Sequence, residues 1–299
     1  MYNLPIEINI NNLIEDLKKI CWEGSDILFY YSQKLKDNQY KKNFIKTKDF
    51  NEPVTLADLE VNNLIIKKIK QKYLNIKWNI LSEENAKDVI FSSKVEHDWL
   101  WVLDPLDGTK DFIQGTGDFA VHLALNYKNR PFIGFVLIPS RNQLWISDGN
   151  STWCENRNGI KNKFQVSENI RLRDMRIITS KNHKNASLQD LINKIGFSEI
   201  IEMGSIGCKI GAILRGDADI YISLSIPNGS APKDWDFAAP EAVLKAAGGA
   251  ITYINNQELD YNKKGFLQEG LIVASNCKKN HAKLCSEIRG IMEENNILI

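Results

Sequence analysis

The sequence predicts a mixed α/β (α+β) fold in which helices cover the faces of sheets. Three observations lead to this prediction: helical periodicity near the N-terminus, a run of strand-like segments over residues 78–147, and alternating strands and helices after about Val166. Such alternation is typical of a sheet with helices packed against it. The change of pattern places a domain boundary near Val166, dividing the chain into residues 1–166 and 167–299.

Two helices are predicted in the first quarter of the chain. Apolar residues recur with a period near 3.6 over residues 10–31, which indicates an amphipathic helix. Residues 34–52 are polar and rich in Lys and Asn, and we interpret them as an exposed loop. Thr55 and Asp58 have the spacing of a capping box, with Asp in place of Glu or Gln, and predict the start of a second helix.

The remaining elements follow from short apolar runs bounded by turn residues. Strands are predicted at 78–81, 99–103, 120–126, 132–138 and 143–147, with a hairpin turn at 156–159. In the second half, strands are predicted at 177–179, 200–203 and 220–222, and helices at 207–215, 237–247 and 281–295. Gly248 and Gly249 are a suitable stop for the helix before them.

Composition excludes several classes of protein. Lys plus Arg number 38 and Asp plus Glu 37, a balance that argues against a nucleic-acid polymer or a polybasic membrane surface as partner. No apolar run approaches the ~20 residues of a membrane span, and we identify no signal peptide. The five cysteines have no C-x-x-C spacing, which argues against a disulfide framework or zinc site. We expect a cytoplasmic monomer or homodimer, with peripheral membrane association left open.

The segment Asp104-Pro-Leu-Asp107-Gly-Thr109 is the sharpest local signal. Two carboxylates follow an apolar strand in a predicted tight turn, and Mg²⁺ prefers such oxygen ligands. Pro105 stiffens the turn, so both carboxylates can converge on one point. Gly108 lets the backbone approach a ligand, and the amides of Gly108 and Thr109 at a helix start can receive a phosphate. Taken alone, the motif is explained equally well by an ordinary Asp-Gly turn.

Three further acidic residues stand at the ends of predicted elements. Glu83 ends a strand, Asp236 opens a helix and Asp58 belongs to the capping box. Each also has a purely structural interpretation, as a solvated strand end or a helix-capping acid. Haloacid-dehalogenase-like phosphatases share the Leu-Asp-Gly-Thr sequence, but Pro105 occupies the position of their nucleophile, which excludes that family.

Four segments together resemble the inositol monophosphatase superfamily. They are Pro53-Val-Thr-Leu-Ala-Asp58, Leu81-Ser-Glu-Glu84, Asp104-Pro-Leu-Asp-Gly-Thr109 and Trp235-Asp-Phe-Ala-Ala-Pro240, in this order. Within the superfamily, Asp107-Gly-Thr-Lys-Asp-Phe112 is similar to the 3'(2'),5'-bisphosphate nucleotidase branch, which typically has Glu at the position of Asp111. Thr179-Ser-Lys-Asn-His183 and Gly204-Ser-Ile-Gly-Cys-Lys209 also resemble segments of that branch.

This resemblance implies an architecture and a reaction. The architecture is a five-layer αβαβα sandwich of the sugar-phosphatase type, with the site between its two halves. The reaction is hydrolysis of a phosphomonoester by a metal-activated water, with two or three Mg²⁺ ions per site and inhibition by Li⁺. The implied substrate is 3'-phosphoadenosine 5'-phosphate, converted to AMP and phosphate in sulfur metabolism. Two alternatives are an inositol or sugar phosphate phosphatase on the same metal core, and a non-catalytic, metal-dependent nucleotide-binding regulator.

The resemblance also implies roles for individual residues. The implied metal ligands are Glu83, Asp104, the backbone carbonyl of Leu106, Asp107 and Asp236. The implied catalytic residues are Glu83, Asp58 and Thr109, with Asp58 accepting a hydrogen bond from the Thr109 that orients the attacking water. The implied substrate contacts are Leu106, Asp107, Gly108, Thr109, Ser180, His183, Ser205, Lys209 and Asp236. Lys46 or Lys48 is implied near the site, and a solvated surface position is the alternative for Lys209.

Overall fold

The computed structural model describes Leu4 and residues 8–36, 44–47, 53–76, 78–86, 98–182, 185–225 and 231–297. Within these ranges, the helices are α1 (Ile10–Lys34), α2 (Leu56–Lys72), α3 (Thr109–Gln114), α4 (Ala186–Ile195), α5 (Ile206–Arg215), α6 (Asp234–Ala246) and α7 (Lys278–Glu294). The strands of the first half are β1 (Ile45–Thr47), β2 (Pro53–Thr55), β3 (Asn79–Ser82), β4 (Trp99–Asp107), β5 (Ala120–Tyr127), β6 (Arg130–Ile138), β7 (Gln143–Ser147), β8 (Thr152–Glu155) and β9 (Lys161–Asn162). Those of the second half are β10 (Arg176–Ser180), β11 (Glu199–Met203), β12 (Ile220–Ser225), β13 (Ala250–Tyr253) and β14 (Gly270–Ser275).

The strands form two large sheets and one small pair. The first sheet has the order β3-β4-β5-β6-β7-β8-β9, and its pairs are antiparallel except for the parallel pair of β3 and β4. The second has the order β11-β10-β12-β14-β13, with β10 parallel to both its neighbours and β14 antiparallel to both of its own. Strands β1 and β2 pair separately.

The apolar faces of these elements stack into five layers. Helices α1 and α2 pack on one face of the first sheet. Helices α5 and α6 lie between the two sheets, and α4 and α7 cover the outer face of the second. Side chains of β4 alternate accordingly, because Trp101 and Leu103 face α1 and α2 while Leu100 and Val102 face the middle layer. The mixed α/β fold with αβαβα layering is therefore confirmed.

Most predicted elements are present, with shifted ends. Helix α6 begins three residues earlier than predicted and α7 also begins three residues earlier. The predicted loop 34–52 contains β1, which pairs with β2, and its residues 37–43 and 48–52 lie outside the described ranges. Helix α4 and the short strands β8, β13 and β14 were not predicted. The domain boundary near Val166 falls between β9 and β10 and stays a prediction.

No helix in the described part of the chain is long and apolar enough to cross a membrane.

Candidate active site

Asp104 and Asp107 are brought together by an irregularity in β4. Asp104 pairs with His122 of β5 and Asp107 pairs with Ala120, so three steps along β4 match two along β5. A bulge of this kind changes which side chains share a face of the sheet. The predicted tight turn is therefore wrong in one respect, because β4 continues through Asp107 before α3 begins at Thr109.

Gly108 connects the bulged strand to α3. Its φ of +92° lies in the left-handed region, which is open to glycine and strained for other residues. A Cβ atom at this position would lie 2.6 Å from the carbonyl oxygen of Asp118. Both the backbone angle and the close approach therefore require glycine between the carboxylate pair and the helix.

Asp236 reaches the same point from the first turn of α6. The Lys233 N–H donates to Asp236 Oδ2 at 2.7 Å, which fixes the carboxylate at the helix start. Oxygens of Asp104, Asp107 and Asp236 lie within 4.8 Å of one another. Strand β4 and helix α6 thus bring together three carboxylates, although Asp104 and Asp236 are more than 120 residues apart in the chain.

These carboxylates disfavour each other's charges. Burial, with the charges of Glu83, Asp107 and Asp236 adding to it, raises the pKa of Asp104 well above its usual value. Burial, followed by the charge of Asp107, likewise raises the pKa of Asp236. Repelling oxygen donors in a buried place fit a hard divalent cation, whose charge would offset the repulsion. The donor set therefore suits Mg²⁺.

Glu83 lines the same cleft but stands outside the group of three. Its backbone N–H donates to the carbonyl of Leu103 at 3.1 Å, which continues the pairing of β3 with β4. Its charge contributes to the raised pKa values of Asp104 and Asp58. Glu83 is thus close enough to share in the electrostatics of the cluster, and its role as a ligand stays a prediction.

Asp58 and Thr109 approach each other across the site. Asp58 Oδ2 accepts from the N–H and the hydroxyl of Thr55, both at 2.7 Å, so the predicted capping box of α2 is present. Thr109 Oγ1 lies 3.3 Å from Asp58 Oδ1 and 3.1 Å from the Leu106 carbonyl oxygen, and its single proton is shared between them. Burial raises the pKa of Asp58 to about 7, and the charge of Glu83 adds to this.

The start of α5 holds Asp107. Ser205 is the N-cap, and its hydroxyl donates to Asp107 Oδ2 at 2.6 Å. The Gly207 N–H donates to the same oxygen at 3.0 Å. Ser205 lines the cleft, as predicted for a substrate contact. Its hydroxyl proton, however, is donated to Asp107, one of the three clustered carboxylates.

Lys209 lies one turn further along α5 and is buried, at 3% exposure. The alternative of a solvated surface lysine is therefore wrong. Its Nζ lies 5.2 Å from the ring centroid of Tyr221, and burial lowers its pKa. Within the described ranges, its ammonium has no hydrogen bond or ion pair. A buried cation without a partner is costly, so this group suits an anionic ligand.

The other predicted contacts are only partly placed. Ser180 ends β10 and lines the cleft. His183 and Lys48 lie outside the described residues. The backbone of Lys46 pairs with Val54, and the choice between Lys46 and Lys48 stays open.

One cleft of about 220 Å³ connects these residues. The carboxylates Glu83, Asp104, Asp107, Asp111 and Asp236 form one part of its lining, and Lys110, Lys209 and Lys233 supply cations. The apolar part includes Leu188, Ile206, Tyr221, Ile222, Leu224, Pro232 and Trp235. The cleft therefore combines a site for a cation and phosphate with a wall suited to a flat, less polar group.

His122 was missed by the sequence reasoning. It is fully buried on β5, with Nε2 3.2 Å from Asp107 Oδ2 and Nδ1 3.4 Å from the carbonyl oxygen of Trp235. Burial lowers its pKa, which favours the neutral ring. The available signal was a lone polar residue inside the apolar run of a predicted strand.

Comparison with known proteins identifies the family. The profile described as the inositol monophosphatase family matches residues 10–293, nearly the whole chain. The chain belongs to the inositol monophosphatase family. It is accordingly an enzyme, a metal-dependent phosphatase that hydrolyses phosphoric monoesters.

Relatives within this family include bacterial proteins named 3'(2'),5'-bisphosphate nucleotidase CysQ. The one from Escherichia coli O6:H1 is 30% identical over 77% of this chain and 88% of its own length. The one from Buchnera aphidicola is 29% identical over 89% of this chain and 96% of its own length.

Solved structures agree on the fold. The Thermotoga maritima IMPase has a TM-score of 0.72 at 22% identity, over 95% of this chain and 99% of that one. CysQ from Bacteroides thetaiotaomicron has a TM-score of 0.68 at 23% identity, over 90% and 98%.

Proposed function

We propose that this phosphatase hydrolyses 3'-phosphoadenosine 5'-phosphate to AMP and phosphate. The observation that carries the proposal is Lys209, a buried side chain in the cleft whose ammonium has no hydrogen bond or ion pair among the described residues. A second phosphate on the substrate would supply that partner as a charge-assisted hydrogen bond. The names of the bacterial relatives support the same substrate class.

The lining of the cleft supports a nucleotide over a polyhydroxylated ring. Tyr221, Trp235 and Leu188 present apolar surface beside the polar residues. An adenine ring has an apolar face that can be buried against such side chains, whereas every carbon of an inositol ring carries a hydroxyl or phosphate that needs a polar partner. An inositol or sugar phosphate is the alternative substrate on the same carboxylate cluster.

Asp104, Asp107, Asp236 and Glu83, with the carbonyl of Leu106, are the residues that would hold Mg²⁺. When bound, the metal acts as a Lewis acid and lowers the pKa of a coordinated water toward ~7. Thr109 would orient that water through its hydroxyl oxygen, since Asp58 and the Leu106 carbonyl compete for its proton. The Ser205 hydroxyl and the Gly207 N–H donate to the Asp107 carboxylate and hold it in place.

A substrate panel tests the proposal. Phosphate release is measured from 3'-phosphoadenosine 5'-phosphate, inositol 1-phosphate and fructose 1,6-bisphosphate, each with Mg²⁺ and with a chelator. We expect Mg²⁺-dependent hydrolysis with the highest kcat/KM for the bisphosphate nucleotide. A higher kcat/KM for inositol phosphate would overturn the nucleotide assignment and leave the phosphatase assignment unchanged.

A further inference from the structure

We infer that Asp111 is a positioning residue that sets the distance between the carboxylate cluster and the substrate-binding segments of the second half. It lies in the first turn of α3, four residues after Asp107, and its side chain is completely buried. This inference rests on the proposed phosphatase site but on no particular substrate.

The Asp111 carboxylate contacts the end of β10. The Asn182 side-chain amide donates to Asp111 Oδ2, and Lys181 Nζ lies 3.8 Å from Oδ1. These residues directly follow Ser180, which lines the cleft. One carboxylate in the first turn of α3 therefore holds the segment that follows β10 of the second sheet.

The same carboxylate also packs on the segment that leads into α5. A Cβ atom on Gly204 would lie 2.2 Å from Asp111 Oδ2, so the glycine backbone rests directly on the carboxylate. Gly204 is followed by Ser205, the N-cap of the helix that carries Lys209. Asp111 thus touches two of the segments through which the second half of the sequence lines the cleft.

A donor outside the cleft fixes the orientation of Asp111. Thr116 Oγ1 donates to Asp111 Oδ1 at 2.8 Å. Thr116 is exposed and does not line the cleft. It therefore allows Asp111, which lines the cleft, to be disturbed without substituting a lining residue.

The position of Asp111 predicts a selective defect. Inorganic phosphate needs only the carboxylate end of the cleft, whereas a complete substrate must also reach the segments that Asp111 holds. Losing one hydrogen bond to a charged group of the substrate weakens binding by about tenfold or more. Disturbing Asp111 should therefore weaken binding of the complete substrate and spare inorganic phosphate.

Asp219 provides a matched control. It is also completely buried and holds the opposite end of β10, accepting from the Arg176 N–H at 2.7 Å and from Arg176 Nε at 3.1 Å. Asp219→Asn removes a buried carboxylate charge that also contacts β10, at a position that does not line the cleft. It tests whether general loosening of β10 is enough to produce the defect.

The experiment compares KM for the best ester of the substrate panel with the inhibition constant of inorganic phosphate. For Asp111→Asn we expect KM to rise about tenfold, with the phosphate constant within about twofold of wild type. Thr116→Val should move KM in the same direction by a smaller factor. Asp219→Asn should lower the unfolding midpoint but leave KM and the inhibition constant of phosphate within about twofold of wild type.

Parallel changes in both constants, or no change in either, would overturn the inference. Should Asp111→Asn fail to fold, Thr116→Val decides the question alone. The proposed substrate is tested separately, by which ester the wild-type enzyme prefers. The comparison of KM with the inhibition constant of phosphate can be made with any preferred ester.

Discussion

Asp107 has more functions in the cleft than any other single residue described. Its Oδ2 accepts from Ser205 and Gly207, lies beside His122 and belongs to the group of three carboxylates. Its charge also raises the pKa of Asp104 and of Asp236. Loss of this charge should therefore affect chemistry and the stability of the metal-free protein in opposite directions.

We predict that Asp107→Asn nearly abolishes phosphate release while the fold survives. The amide keeps the shape of the side chain but removes a charge from the cation site and relieves repulsion within it. The unfolding midpoint in chelator should be unchanged or slightly higher. Asp217→Asn is the control, since Asp217 is an exposed partner of Arg215 remote from the cluster. Activity within tenfold of wild type, about 1.4 kcal/mol of barrier, would contradict the assignment of Asp107 as a metal ligand.

Lys209→Ala should discriminate between substrates. We expect kcat/KM for the bisphosphate nucleotide to fall by about 1.5–3 kcal/mol, the range for a hydrogen bond to a charged group. The loss for inositol 1-phosphate should be much smaller, because its one phosphate is held by the carboxylate end. Lys209→Met keeps the packing on Tyr221 and removes the charge, so it separates the contribution of the charge from that of the packing. Equal losses on both substrates would remove Lys209 from substrate recognition.

Among the elements, the junction between β4 and α3 is the most constrained. The bulge, Gly108 and the start of the helix follow each other within a few residues, and each depends on the next for its geometry. Helix α3 has glycine in the left-handed region at both ends, Gly108 and Gly115. Their φ values are both positive, +92° and +73°, whereas their surroundings differ, which allows strain and steric contact to be separated.

We predict that Gly108→Ala costs more stability than Gly115→Ala and also reduces activity. Both variants force alanine into the left-handed region, at a cost of about 1–3 kcal/mol. The added methyl group meets the Asp118 carbonyl at position 108 and nothing within 4 Å at position 115. Urea unfolding and kcat measured on both variants test this. Equal losses of stability would show that the Asp118 contact is unimportant.

In the molecule as a whole, we expect stability at acidic pH to depend on a buried histidine that does not line the cleft. His281 of α7 is buried, with Thr252 Oγ1 2.8 Å from Nε2 and Ser275 Oγ 2.7 Å from Nδ1. Burial lowers its pKa to about 4 in the folded protein. The unfolded chain takes up this proton near pH 6.5, so the stabilising contribution is complete above 6.5 and is lost as pH falls toward 4.

We predict a loss of about 3 kcal/mol of unfolding free energy from this histidine between pH 7 and pH 4. Urea unfolding of wild type and of His281→Gln at several pH values isolates the contribution of this histidine to the unfolding free energy. The variant should be less stable at pH 7 but should decline less on acidification. Carboxylates with raised pKa values act in the opposite direction, yet they are common to both proteins and cancel in the difference. Parallel curves would refute the prediction.

Much of the local structure followed from short-range patterns. The 3.6 period of α1 and the capping box of α2 depend on residues within a few positions of each other, and both are present. The strands β8, β13 and β14 were missed because short strands gain their stability from neighbours elsewhere in the chain. Helix α4 was missed although Asn185 caps it through the Leu188 N–H.

The sequence alone determined the oxygen-rich character of the site, because carboxylates in a recognisable order reveal the chemistry without coordinates. It did not determine their convergence, which needs the bulge in β4 and the packing of α6 against the first sheet. Nor did it indicate that Lys209 is buried or that Asp111 contacts Asn182. Local patterns record the preferences of neighbouring residues, whereas distances between residues far apart in the chain are set by the stacking of whole layers.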